Sequence, residues 1–145
     1  MKTYADTGFL CSLYSADALT DKAERIMQRQ TTPLAYTWLH QLELRNALRL
    51  RVFRKEISAL QRNASLNLLL TDLAGGILEH ASPNLSETMI EAERLSTAYS
   101  EKLGTRSMDI MHVAAAVVLG TSEFLSFDKR QVSLAKAAGL KVKPV

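Results

Sequence analysis

The period of apolar and polar positions changes repeatedly along the chain, marking out a succession of short strands and helices. Thr3–Asp6 reads as a strand and Thr7–Tyr14 as a helix directly behind it. From Asp21 to Gln30 a second helix places Ala23, Ile26 and Met27 on one side, and Thr31-Thr32-Pro33 breaks it. Leu34–Thr37 is a strand ahead of a long helix, Trp38–Arg51. Ser58 to Leu73 repeats apolar residues at helical spacing and stops at Gly75-Gly76. Ile77–His80 is a strand, Ser82-Pro83-Asn84 a turn, and Ser86 begins a helix with Glu87 in its first turn and Met89, Ala92 and Leu95 along it. Ser107–Leu119 is a helix, Glu123–Ser126 a strand, Lys129–Ala138 a helix ended by Gly139, and Lys141–Val145 a last strand. The sequence contains no internal repeat and no low-complexity tract.

Alternation of this kind predicts an α/β sandwich with a mainly parallel sheet. Open sheets of that class bind ligands beyond the carboxyl ends of their strands. That rule selects three acids. Asp6 follows the first strand, Asp128 follows Glu123–Ser126, and Asp109 opens a helix after a Gly-Thr-Arg-Ser turn.

At 145 residues the chain is near the modal domain size, so one domain over 1–145 is expected. Apolar residues at 47% and charged residues at 23% exclude a disordered tail, a collagen-like repeat and a disulfide-stapled miniprotein. Cys11 is the single cysteine, which excludes an intramolecular disulfide and a thiolate zinc cluster; a reducing, cytoplasmic setting follows as an expectation. Met1–Asp6 carries no charged-then-apolar leader, and the uncharged run Ile110–Leu119 is too short to span a bilayer, so no membrane association is expected. The net charge of +3 is unevenly spread. Residues 45–62 hold Arg45, Arg49, Arg51, Arg54, Lys55 and Arg62 against Glu56, whereas residues 63–100 hold Arg94 against five acids. On charge alone, a solvated helix face explains such a run more readily than a surface for a polyanion.

Each candidate acid carries a competing structural reading. Asp6 is placed to cap the helix behind it. Asp128 and Gln131 are spaced as a capping box. Asp109 lies in a first helical turn, where any carboxylate gains from the dipole. Glu43 is different, because it lies in mid-helix. At about 100° per residue, Leu39, Ala47 and Leu50 all fall within roughly 40° of it. Its neighbours three and four residues away are Leu39, His40, Asn46 and Ala47, so no Lys or Arg on the helix can pair with it. A half-buried, unpaired carboxylate costs several kcal/mol unless it is protonated, holds a cation, or meets a basic residue folded back onto it from elsewhere in the chain. Asp109 shares a face with His112, Val113, Ala116 and Val117, and His112 itself reads as a hydrogen-bonded core histidine. Carboxylates converging on one crevice are relieved by hard divalent cations, Mg²⁺ or Mn²⁺, which prefer oxygen ligands; zinc is disfavoured by the lack of a His or Cys pair at ligand spacing. Such metals activate water against phosphate esters, and the basic run of Arg45, Arg49, Arg51, Arg54 and Lys55 would then hold a polyanionic substrate.

The sequence resembles PIN-domain proteins, and more narrowly the VapC-type toxins of bacterial toxin–antitoxin pairs. The resemblance rests on Tyr4-Ala5-Asp6-Thr7, Glu43-Leu44-Arg45-Asn46-Ala47-Leu48, Asp109-Ile110-Met111-His112-Val113-Ala114-Ala115-Ala116 and Ser126-Phe127-Asp128, in order and at family-like separations. It implies a five-stranded parallel sheet between helices in a three-layer sandwich, and an acidic pocket of Asp6, Glu43, Asp109 and Asp128 holding Mg²⁺ or Mn²⁺. It implies metal-dependent ribonuclease activity, with Thr7 and Ser126 supporting the pocket and His112 assigned to packing. Gly8 departs from the many relatives with a polar side chain there. By the same resemblance the partners are an RNA substrate, an inhibiting antitoxin and a second copy in a homodimer. The competing readings are an RNA-processing nuclease without antitoxin, a non-cleaving PIN-like binding module, and a phospho-receiver domain, which would have no need of Glu43.

Overall fold

In the computed structural model, which describes residues 2–144, five three-residue strands form one parallel sheet. In chain order the elements are β1 (Thr3–Ala5), α1 (Thr7–Tyr14), α2 (Thr20–Gln28), β2 (Leu34–Tyr36), α3 (Trp38–Phe53), α4 (Ala59–Ala74), β3 (Leu78–His80), α5 (Leu85–Leu103), α6 (Ser107–Val118), β4 (Glu123–Leu125), α7 (Lys129–Ala137) and β5 (Lys141–Lys143). The strand order is β3-β2-β1-β4-β5, and every pairing is parallel. The order reverses between β1 and β4, whose partners are Thr3 with Glu123, Tyr4 with Phe124 and Ala5 with Leu125. A crevice opens beyond the carboxyl ends at such a reversal.

Strand alternation divides the core into two layers. Tyr4, Ala35, Phe124 and Val142 face α5, α6 and α7, where Leu95, Val113, Ala114, Ala116 and Leu134 are fully buried. Ala5, Leu34, Tyr36, Leu78 and Leu125 face the helices α1 to α4, against Phe9, Leu10, Leu44, Leu48 and Leu69. The three-layer arrangement expected from the sequence is the one observed.

Most differences from the sequence reading lie at element ends, and capping explains several of them. Asp6 and Thr37 keep extended backbone but leave their strands to cap α1 and α3. Asp6 accepts from the Phe9 N–H at 2.8 Å, and Thr37 forms a capping box with His40. Ser126, expected in a strand, lies just past β4 and faces Asp6. Gly104, at φ 66°, closes α5 in the left-handed conformation open to glycine. The expected last strand ran to Val145, which lies outside the described residues. Among the described residues no helix is long and apolar enough to cross a membrane.

Candidate active site

Four acids from four parts of the chain line one cavity of about 480 Å³ beyond the ends of β1 and β4. Asp6 sits at the β1–α1 junction, Glu43 on α3, Asp109 in the first turn of α6 and Asp128 at the N-terminus of α7. The strand-end rule therefore placed its three acids correctly. Glu43 joins them because its stripe of α3 is a cavity wall: Glu43, Ala47, Leu50 and Arg54 all line the opening, while Leu44 and Leu48 carry the helix's core face. A larger, mainly apolar cavity of about 560 Å³ lies at the opposite, amino-terminal end of the strands, lined by Leu13, Tyr14, Met27, Leu68 and Ile77 among others. Of its two carboxylates, Glu24 and Asp72, the second is taken by the Tyr14 hydroxyl at 2.7 Å, so no group of acids converges there.

Each acid in the first cavity is oriented by donors of the chain itself. Asp6 is 4% exposed; its Oδ1 accepts from the Phe9 N–H and its Oδ2 from the Ser126 hydroxyl at 2.5 Å. Burial pushes its carboxyl up to about 6, against the opposing pull of those two donors. Ser126 also accepts the Asp128 N–H at 3.0 Å, so one hydroxyl ties two of the acids together. Asp128 Oδ1 caps α7 through the Arg130 and Gln131 N–H groups, at 2.8 and 3.1 Å. Asp109 Oδ2 pairs with the Arg106 guanidinium at 3.1 Å, and Oδ1 accepts from the Gln131 side-chain amide at 3.3 Å. The same guanidinium stands 3.9 Å from Asp128.

Glu43 requires a correction. It lacks a helical partner, as its sequence neighbours indicate, yet it is not unpaired. His112 Nε2 lies 2.5 Å from Oε1, and the Thr7 hydroxyl donates to the same oxygen. Burial would raise the Glu43 carboxyl, but the hydrogen bonds from His112 and the Thr7 hydroxyl outweigh it, and the carboxyl lies below its ordinary range. The raised value that an unpaired, desolvated carboxyl would have does not occur.

Two histidines, His40 and His112, fill the space behind the acids, with ring centroids 5.0 Å apart and planes tilted by 40°. His40 Nδ1 accepts from the Thr37 N–H at 3.0 Å, so Nε2 carries the proton and donates to the Ala5 carbonyl at 2.7 Å. Complete burial, reinforced by His112, pushes the His40 ring down to about 3, so it stays neutral. The His112 ring is 2% exposed and has both nitrogens engaged, which agrees with a bonded core histidine rather than a metal ligand.

The basic run is divided by the fold. Arg54 lines the cavity. Arg51 does not line it and pairs with Asp17 at 2.8 Å while donating to the Ser15 carbonyl. Arg49 and Lys55 are exposed and Arg45 half-buried on other parts of α3 and the turn behind it, none of them lining the cavity. Gln131 and Arg106 line the cavity, although the sequence had marked neither for it. Gln131 gives its backbone N–H to the Asp128 cap as the spacing predicts, but its side chain reaches across to Asp109, a contact that local spacing does not signal. Gly8 is spatially unforced, since a Cβ there would meet Asp6 Oδ1 at an ordinary 3.7 Å.

The donor set suits a hard divalent cation, with four carboxylates around one opening and one of them, Asp6, held up to about 6 by burial. Gln131 Oε1 is a buried acceptor with no partner, an orphan that a water of such an ion would satisfy. As the side chains stand, no three acid, imidazole or thiol groups among the described residues are close enough to hold an ion.

No protein-family model matches the chain, and no curated protein matches it. Solved structures do. The chain is similar to VapC20 of Mycobacterium tuberculosis, a Sarcin-Ricin loop cleaving toxin, with a TM-score of 0.70 at 16% identity over 95% of this chain and 95% of that one. It is similar to VapBC2 from Rickettsia felis, solved with a DNA fragment from its promoter, with a TM-score of 0.66 at 14% identity over 99% of this chain and 98% of that one. It is also similar to FitAcB from Neisseria gonorrhoeae, with a TM-score of 0.63 at 15% identity over 98% and 96%. The shared architecture is the PIN-like α/β fold.

Proposed function

We propose that this chain is a metal-dependent endoribonuclease and the toxin of a toxin–antitoxin pair, acting as a cytoplasmic homodimer that a cognate antitoxin inhibits. The observation that carries the reading is the convergence of Asp6, Glu43, Asp109 and Asp128 on one cavity at the sheet's reversal point. The fold shared with a Sarcin-Ricin loop cleaving toxin supports RNA as the substrate class, and the likeness to VapBC2 supports an antitoxin partner.

In this reading the four acids hold Mg²⁺ or Mn²⁺. Such an ion, when bound, lowers the pKa of a coordinated water and neutralises charge on phosphate oxygens. The chain's own residues prepare the site for it. Ser126 and the Phe9 N–H fix the Asp6 carboxylate, and Ser126 keeps Asp128 in register with it. Arg54 on α3 and Arg106 before α6 flank the opening and offer guanidinium donors to backbone phosphates. Gln131 holds Asp109 from below.

The test is RNA cleavage by purified protein with chelator, then with Mg²⁺ or Mn²⁺ restored, alongside Asp109→Asn. Cleavage that chelation abolishes, metal restores and Asp109→Asn lacks is the expected result. Undiminished cleavage after stringent chelation sinks the metal. Absence of cleavage under both conditions favours the non-cleaving binding module.

A further inference from the structure

His112 does more than fill space between α6 and the sheet. Its helix is otherwise Ala, Val, Ile and Met through this stretch, and an apolar residue would pack there without the cost of burying two ring nitrogens. Both nitrogens are bonded across elements. On one side the Tyr4 hydroxyl of β1 lies 2.7 Å from Nδ1; on the other, Glu43 Oε1 of α3 lies 2.5 Å from Nε2. The carboxylate only accepts, so Nε2 carries the proton and donates. Nδ1 then needs a donor, and the Tyr4 hydroxyl is a permanent one, because complete burial pushes its phenol well above the ordinary range.

Thr7 completes the arrangement. Its hydroxyl donates to Glu43 Oε1, and its oxygen stands 3.0 Å from the same His112 nitrogen. Two donors thus converge on Oε1. Oε2 has no hydrogen-bond partner among the described residues, on a side chain that lines the cavity and is 29% exposed.

We infer that His112 is the positioning residue of Glu43: with Tyr4 fixing its ring and Thr7 sharing its target, it holds Oε1 inward so that Oε2 alone is offered to a cation. This rests on the metal-dependent reading above. Residues that orient a metal's ligands in this way typically control affinity by about 10- to 100-fold.

The experiment combines two measurements on the full chain. The first is the ring ¹⁵N spectrum of the metal-free protein, in wild type and Glu43→Gln. The second is Mn²⁺ titration calorimetry of wild type, His112→Leu, which keeps bulk but loses the donor, and His112→Gln, whose amide N–H stands roughly where Nε2 does. The expected result is an Nε2-protonated ring whose shift moves in Glu43→Gln. Mn²⁺ affinity should fall about tenfold or more in His112→Leu and return to within about threefold in His112→Gln. A packing role alone would leave Mn²⁺ affinity unchanged in a folded His112→Leu, and that outcome, or an Nδ1-protonated ring, overturns the inference. Should His112→Leu fail to fold, the wild-type ring spectrum and His112→Gln decide between the same alternatives. If the wild type binds no Mn²⁺, the metal reading fails by itself, and the ring spectrum still decides whether His112 holds Glu43.

Discussion

Without divalent ions, Asp6→Asn should stabilise the protein near pH 7.5, and the gain should vanish in acid. The carboxyl of Asp6 is 4% exposed, and burial raises it from an ordinary 3.8 to about 6. A carboxyl whose folded value lies above its unfolded value contributes stability that is complete below about pH 3.8. That contribution is lost as the pH climbs through about 6. Two pH units at 1.36 kcal/mol each give a loss on the order of 3 kcal/mol. Asparagine caps a helix as well as aspartate, so the bond to the Phe9 N–H survives the substitution. Urea melts in chelator across roughly pH 4 to 7.5 measure the effect directly. The wild-type curve should drop relative to the variant's by on the order of 3 kcal/mol over that span. Added Mn²⁺ should then raise the wild-type midpoint at neutral pH and leave the variant's in place. Parallel pH profiles would refute the reasoning, as would a variant about 1 kcal/mol weaker at pH 7.5, the value of a lost cap.

Arg51→Ala should cost about 1 kcal/mol in a denaturant melt, through the Asp17 pair and the Ser15 carbonyl bond, and should leave the salt dependence of RNA binding unchanged. Charge-neutral substitutions of Arg54, Arg49 and Lys55 should each flatten the slope of log affinity against log salt by about 0.7 if that side chain contacts a phosphate; an unchanged slope assigns it to a solvated face or a protein partner. Arg106→Ala should change stability by less than about 1 kcal/mol, since its side chain is 66% exposed. Cleavage should fall by roughly tenfold or more, the worth of one charge-assisted hydrogen bond; undiminished cleavage would leave Arg106 as the ion-pair partner of Asp109 alone.

Much of the molecule is written in local pattern. The helices and strands follow from apolar spacing and from turn residues such as Thr31-Thr32-Pro33, because backbone period and cap chemistry act within a few residues. Asp6, Asp109 and Asp128 are legible for a related reason: a parallel sheet delivers the residues after its strands and at the starts of its helices to one edge. Glu43 is legible as an anomaly, an acid on a stripe that otherwise holds Leu39, Ala47 and Leu50, and the fold splits that stripe, burying Leu39 in the core and making Ala47 and Leu50 a cavity wall. What the sequence cannot express is which distant group meets which. His112 reaches Glu43 across 69 residues, Ser126 reaches Asp6 across 120, and Arg51 is drawn to Asp17 across 34. The Gln131 side chain goes to Asp109, 22 residues back, while its backbone N–H stays on the Asp128 cap. Helical spacing predicts only neighbours three and four positions away; contacts between elements are decided when packing brings side chains within hydrogen-bonding reach and burial penalises any group left without a partner. The four acids and the elements that carry them were therefore a property of the sequence, while the donors that orient them, and the side of the Glu43 carboxylate left open, came from the tertiary structure.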